Sequence, residues 1–485
     1  MSSRAGRHPL DSPLLHAVRS AALVASALVG AGCVSMAPRY QHPAMPVPGE
    51  YPSDAPRMGG ARLSATIDWR SVLVDVDLQR IVERALRSSR DLRMAVLRVQ
   101  EARALRGIQR AEQFPNIAAS VTVNRARTPG ELNLARRSLV TDSYQVGLGV
   151  ATWELDFWGR IRNLDVAAIE SYLATQAARR AFTVSLVAQV ADAWLQQCEL
   201  ERRLELARST LRTRQESYRI FTRRFEEGAS TRLELTQVET LLTQAEMLVA
   251  QLEQARAANS HALRLLIGDD MDVPSRPDVF QDDTEPVRPL QAGLPSELLV
   301  QRPDIIAAEH ELRAAHANVG AARAAFFPSV TLTGSFGTAS AELNGLFEAG
   351  TRAWAFTPVI TLPIFTGGRL RSSLELAQVR RHLAIASYEL TIQAAFRDVA
   401  DALSAHRWLD EQVRIQRKAL RALTERAYLA QLRYDSGAAS YLEVLDAQRD
   451  LLNAEQALVQ VQRALLSSRV ALFAALGGGA LGAGE

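Results

Sequence analysis

Few residues in this chain are spaced for bond-making chemistry. His310-Glu311 begins like a helical zinc site, yet Ala314 stands where a second histidine would be needed. His310 and His316 lie six apart and share a helical face poorly. Lys418 is the one lysine, so a phosphate-cradling loop or a Schiff base would have to use it, and no nucleotide fingerprint surrounds it. Two cysteines, Cys33 and Cys198, exclude a disulfide framework and a four-cysteine zinc site. Cys198, inside Trp194-Leu-Gln-Gln-Cys-Glu, reads as a packing residue. Leu442 and Asp446 are spaced i,i+4 and therefore on one helix face, with Arg433 on the far side of Gly437. Taken alone, Asp446 at that place reads as support for a helix start. No catalytic residue, metal site or cofactor is expected.

Composition agrees with that exclusion. The chain has 485 residues, a net charge of 56 − 53 = +3 and 47% hydrophobic residues, which does not describe a nucleic-acid groove. Beyond the first 35 positions no run of about 18–20 apolar residues occurs, so no transmembrane helix is expected. At the start, Arg4, Arg7 and Arg19 precede an apolar stretch from Ala21 to Ala31, then Gly32-Cys33. That order is an export signal over 1–32. Cys33 after small residues looks like a bacterial lipoprotein site, where it would carry covalent lipid, although Gly30 replaces the usual leucine. Val34 rather than aspartate follows, so a signal for inner-membrane retention is absent. Prolines at 38, 43, 46, 48, 52 and 56 suggest an extended tether over 33–66.

The chain also repeats itself. Asp91 to Phe114-Pro115 recurs as Asp304 to Phe327-Pro328, at an offset of 213. Phe225-Glu-Glu-Gly228 recurs as Tyr434-Asp-Ser-Gly437, at an offset of 209. The reading is a first repeat over 67–268, a linker over 269–303, a second repeat over 304–476 and a flexible tail over 477–485. Each repeat holds two breaker-free runs, 161–227 and 229–267, then 369–436 and 438–476, read as long helices over 158–227, 229–267, 369–436 and 438–476. Proline costs roughly 3 kcal/mol and glycine about 1 inside a helix, so their absence permits very long helices. In the last run Leu451, Ala454, Leu458, Val461, Leu465, Ser468 and Leu472 form a heptad seam. The first copy keeps it through Leu252 and breaks at Arg256.

Between the helices the period changes to two. Ile117, Ala119, Val121 and Val123 alternate with small or polar residues, as do Tyr144, Val146, Leu148 and Val150. Val330, Leu332 and Phe336, then Trp354, Phe356, Ile360 and Leu362, repeat the pattern. The expected strands are about 115–124, 143–153, 328–337 and 353–362, each the length of an outer-membrane β-strand. Trp153 and Trp158 suit either an interfacial aromatic belt or helix–strand packing. Four strands leave two open edges, which lipid does not tolerate, so the chain must oligomerise. Two copies would give a filled eight-stranded barrel, three a twelve-stranded one with a passage.

These features together resemble the outer-membrane factor (outer-membrane efflux protein) family, in its NodT-like lipoprotein branch serving resistance–nodulation–division pumps. Gly32-Cys33, Pro38-Arg-Tyr40, Gly293-Leu-Pro-Ser-Glu-Leu-Leu-Val-Gln-Arg-Pro-Asp-Ile305 and Tyr434…Gly437…Tyr441-Leu-Glu-Val-Leu-Asp-Ala-Gln448 carry the resemblance, which extends from Cys33 to Leu476. Arg90 departs from it where a proline is usual. The resemblance implies an α+β membrane protein: a homotrimer with a 12-stranded outer-membrane β-barrel, four strands per chain, continued by a long α-helical periplasmic barrel. Residues 269–303 and the segment before Asp91 would belt its middle. Loops near 125–141 and 338–352 would face outside.

It also implies a passive efflux channel for drugs or small toxic compounds, working with a periplasmic adaptor and an inner-membrane pump. Leu442 and Asp446 would then line the periplasmic gate, with Arg433 in the network restraining it. Gly228 and Gly437 would mark the turns that meet the adaptor. Arg224 occupies the first-copy position of Arg433, whereas Gln237 replaces the aspartate. Two other readings remain: a duct for type I protein secretion or heavy-metal efflux, and a lipid-anchored coiled-coil spacer without a pore.

Overall fold

A computed structural model describes residues 35–51, 68–132, 136–274, 276–280, 286–290 and 302–478. The signal segment, Cys33, and parts of the tether, linker and tail lie outside the described residues. In chain order come α1 (Trp69–Val72), α2 (Val76–Ser88), α3 (Arg90–Ala111), β1 (Ile117–Thr128), β2 (Leu139–Leu155), α4 (Arg160–Glu226) and α5 (Arg232–Ile267). Then follow α6 (Pro303–Ala324), β3 (Ser329–Ser340), β4 (Arg352–Thr361), α7 (Arg369–Asp435) and α8 (Tyr441–Ala475). The two breaker-free stretches give α4 and α7 the same length, 67 residues each. Among the described residues no helix is long and apolar enough to cross a membrane.

Two compact units make up the described chain. One combines residues 35–42 with Arg103–Ser171 and Glu311–Ala384; the other combines Pro43–Ala102, Tyr172–His310 and the chain from Ile385 onward. Each unit draws on both sequence repeats, so a repeat is not a folding unit.

The first unit is built on one antiparallel sheet of order β1-β2-β3-β4. Its register sorts side chains into two faces, because neighbours along a strand point to opposite sides. One face carries the rows Ile117–Val150–Gly334–Phe356 and Ala119–Leu148–Phe336–Trp354. The opposite face carries Ala118–Gly149–Ser335–Ala355 and Ser120–Gly147–Gly337–Ala353. One side is thus apolar and the other small and polar. Three of the strands exceed the expected ten residues, β2 reaching 17, while β4 has ten. Residues 125–128, 139–141, 338–340 and 352, expected in loops, are strand residues. A bulge between Val150 and Trp153 restores Trp153 to the apolar face opposite Leu332.

Both indoles near that bulge are tied to backbone. Trp153 Nε1 donates to the Gln113 carbonyl at 3.2 Å, and Trp158 Nε1 to the Pro328 carbonyl at 2.8 Å. Trp158 also stacks on Phe327 at 4.8 Å. Helix–strand packing therefore accounts for Trp158. In the same unit the tether is docked rather than loose over 35–42. Ala37 sits where a Cβ on Gly320 would have to be, and Tyr40 packs edge-on against His316 at 5.4 Å.

The second unit holds the main apolar core. Trp69, Leu73, Leu78, Ile81 and Val82 pack on Val190, Trp194, Leu195, Ile267, Val287 and Phe473, all nearly inaccessible to water. Cys198 is buried among them, and burial pushes its thiol up to about 12, which leaves it unreactive. Helix α3 begins at Arg90 without the usual proline, its Leu92 amide reaching the Ser89 hydroxyl at 3.4 Å. In α8 the buried face is wider than the heptad seam, because Val459, Leu466, Val470 and Phe473 also join the core. Arg256, where the seam breaks in α5, pairs with Glu201 at 3.1 Å.

Candidate functional site

Each long helix ends on a glycine with positive φ, 71° at Gly228 and 75° at Gly437. A side chain would find open space at both, so the requirement is for the left-handed backbone itself. The closing bonds match in the two copies. Ala229 N–H reaches the Arg224 carbonyl at 2.7 Å, and Ala438 N–H the Arg433 carbonyl at 2.8 Å. These bonds end α4 and α7 and turn the chain into α5 and α8.

The starts of the returning helices differ. Thr231 caps α5 through the Glu234 amide while the Glu234 carboxylate accepts from the Thr231 amide, a complete capping box. The Thr231 amide, with the Ser230 and Thr231 hydroxyls, holds the Glu234 carboxyl below its ordinary value. Ser440-Tyr-Leu-Glu443 has the same pattern, but Ser440 makes no side-chain cap bond. Glu443 instead pairs with Arg433 at 3.2 Å. Equivalent glutamates thus do different work in the two turns.

Leu442 and Asp446 lie in the first turns of α8, and Leu442 is 42% exposed. Asp446 faces Arg449 at 3.2 Å rather than Arg433. Arg433 and Asp446 therefore belong to two separate ion pairs one helical turn apart. Arg449 also reaches Asp450, which accepts from Arg426 of α7 at 2.7 Å. The two guanidiniums hold the Asp450 carboxyl below its usual range, Arg426 first. Leu233, at the first-copy position of Leu442, is exposed as well.

A second group of contacts was not visible in the sequence. Arg224 donates to the Tyr434 hydroxyl at 2.8 Å, linking the last turns of α4 and α7. Tyr441 stacks on Phe221 at 4.8 Å and shares a 2.6 Å hydrogen bond with Ser217. Arg214 of α4 is almost fully buried and donates to the Leu445 carbonyl at 3.4 Å. Burial pulls its pKa down. The offset of 209 that relates the repeats points to Arg224 as the counterpart of Arg433, but not to Tyr434, 210 residues away, as its partner.

Among the described residues no cluster of three or more histidine, cysteine or acidic side chains could hold a metal. What the arrangement offers is an exposed leucine and a carboxylate at a helix start, beside the ion pairs Arg433–Glu443 and Arg449–Asp446.

The chain is similar to several known proteins. A family profile described as outer membrane efflux protein matches residues 81–269 and 294–478. The chain is 44% identical over 471 residues to the outer membrane protein OprJ of Pseudomonas aeruginosa, covering 95% of each. It is 39% identical over 454 residues to the cation efflux system protein CusC of Escherichia coli, covering 93% of this chain and 97% of that one. The open state of the Neisseria gonorrhoeae outer membrane channel MtrE superposes with a TM-score of 0.83 at 38% identity, over 92% of this chain and 98% of that one.

Proposed function

The chain belongs to the outer membrane efflux protein family, and from that membership and its incomplete sheet we propose that three copies close one channel. It acts in the outer membrane as the channel component of an efflux system, not as an enzyme. The carrying observation is the sheet. Four strands present an apolar face and a small, polar face, and neither β1 nor β4 has a further partner among the described residues. Val121, Phe336, Trp354 and Ile360 are each more than 60% exposed in the single chain. Lipid against the apolar face and copies against both edges remove that exposure, and every backbone group is then paired. Three copies supply twelve strands, which leaves a water-filled lumen lined by the small residues. The long helices carry the conduit into the periplasm.

In this reading Leu442 and Asp446 ring the periplasmic mouth, and the Arg433–Glu443 and Arg224–Tyr434 links keep it narrow. An apolar ring resists wetting, while a carboxylate ring favours cations. The turns at Gly228 and Gly437 are offered to an adaptor protein, and an inner-membrane pump supplies the energy. The cargo is small toxic molecules, consistent with relatives named for antibiotic, toluene and cation efflux. Cys33 carries the lipid; labelled palmitate appearing in a Cys33→Ser variant would remove that assignment.

Planar-bilayer recording tests the channel. Small currents from the intact protein should grow after Leu442→Ala with Asp446→Ala. Silence in both proteins would favour a spacer without a pore.

A further inference from the structure

The register of the sheet places arginines on its apolar face, at the loop end. Ile117, Ala119, Val121 and Val123 continue along β1 into Arg125 and Arg127 on that same face. On β4, Ile360, Phe356 and Trp354 continue into Arg352, also on that face. Arg125 pairs with Asp142 at 3.3 Å and remains 75% exposed. Among the described residues no ion-pair partner is recorded for Arg127 or Arg352, and both are exposed. Three guanidiniums against one carboxylate thus look outward where the rest of the face is made for lipid.

Their height explains how they are tolerated. Arg125 lies eight residues along β1 from Ile117, and Arg352 opens β4 eight residues before Ile360, on the row of Thr338, Val146 and Val121, so each is far from the helix end of its own strand. At about 3.4 Å per residue and a tilt of about 40°, that is roughly 20 Å of height, near the top of an apolar band about 25 Å tall. An aromatic residue lies two positions from each strand's arginines, Tyr144 facing Val123 beside Arg125 and Trp354 following Arg352. Aromatic side chains favour the headgroup zone, and a charge there costs little, whereas at mid-membrane it costs several kcal/mol.

We infer that Arg125, Arg127 and Arg352 form a binding site for a phosphorylated lipid headgroup of the outer leaflet. Guanidinium groups meet phosphate oxygens in a forked, paired geometry that ammonium groups do not reproduce. The strand order places the site at a seam. In the closed ring β4 of one copy borders β1 of the next, so Arg352 adjoins its neighbour's Arg125 and Arg127 strand. Like charges gathered there call for an anion, and a diphosphorylated lipid can bridge two protomers. The inference rests on the barrel reading, since only a closed ring presents this face to lipid.

Native mass spectrometry of the detergent-solubilised full-length protein tests it, with diphosphorylated lipid A, monophosphorylated lipid A or phosphatidylcholine added. The intact assembly should retain diphosphorylated lipid A over phosphatidylcholine, with the monophosphorylated form between. Arg125→Gln with Arg127→Gln and Arg352→Gln should reduce retention on the order of tenfold or more. Arg127→Gln with Arg352→Gln, which leaves the Arg125–Asp142 pair intact, should give an intermediate loss. Excess inorganic phosphate should fail to displace the lipid; displacement would overturn the assignment to a lipid headgroup. Equal retention by a variant that still assembles and conducts would overturn the site alone. Failure of the unmodified protein to assemble would overturn the barrel reading and this inference with it.

Discussion

Arg433 and Glu443 pair at 3.2 Å, so the glutamate at the third position of α8 serves the neighbouring helix end instead of the Ser440 amide. In the first copy Glu234 does the opposite and completes a capping box with Thr231. One turn is locked within its own helix start, and the other is locked across the turn. The second lies beside Leu442 and Asp446, and in the proposed gate it is the link exchanged during opening.

Removing Arg433 should therefore loosen the mouth without unfolding α8. In Arg433→Ala the freed Glu443 can cap its own helix, which offsets an exposed ion pair worth about 0–1 kcal/mol. The melting temperature should stay nearly constant while bilayer conductance rises. Combined with Asp446→Ala, the change should sensitise cells to large antibiotics such as vancomycin. Unaltered sensitivity at normal protein levels would count against the gate.

Gly147→Val should block assembly. A Cβ at Gly147 would lie 2.6 Å from the Phe336 carbonyl oxygen, and Gly337 faces it across the ladder. Backbone cannot yield as a side-chain tip can, so β2 and β3 should part at a cost of about 1–3 kcal/mol. Gel electrophoresis without boiling should show loss of the heat-sensitive oligomer; a normal oligomer would refute the close approach.

Acid should relax both turns. Glu234 and Asp450 have carboxyls held below their ordinary values of 4.5 and 3.8, by the capping donors and by Arg426 with Arg449 respectively. A depressed carboxyl stabilises the fold above its unfolded value and loses that contribution as pH falls through the folded one. Hydrogen-exchange protection factors near Gly228 and Gly437, with the intrinsic pH dependence of exchange divided out, should fall below about pH 4 and stay flat from pH 6 to 8. In Asp450→Asn the acid response near Gly437 should shrink.

Much of this fold was legible because its signals are local. Glycine and proline are costly inside helices, so their absence from 161–227 and 369–436 marked α4 and α7. Alternation marked four strands, and counting them exposed the two open edges. What stayed hidden depends on distance or on exceptions to period. The bulge at Val150 shifts Trp153 to a face that strict alternation denies it. Thr231-x-x-Glu234 and Ser440-x-x-Glu443 look alike in sequence, yet only one becomes a capping box, because Arg433 competes for the other glutamate. Arg224 and Tyr434 meet across 210 residues, beyond any local pattern.

Arg302 should prove structural. It is buried, binds Asp304 through two nitrogens at 3.0 and 2.6 Å, and donates to the Ala475 carbonyl at 2.8 Å near the end of α8. Arg302→Ala leaves that carbonyl without its donor and should cost about 2 kcal/mol, discounted because Asp304 and Asp398 are partly exposed. A thermal melt lowered by several degrees, with unit conductance unchanged in assembled protein, is the expected result.

The open edges of β1 and β4 decide the account, and the mass of the folded, lipid-extracted particle tests them most directly. Native mass spectrometry should find three chains in every particle that retains the strand signal in circular dichroism. A single chain keeping its full sheet in detergent, with both edges unpaired, would contradict it.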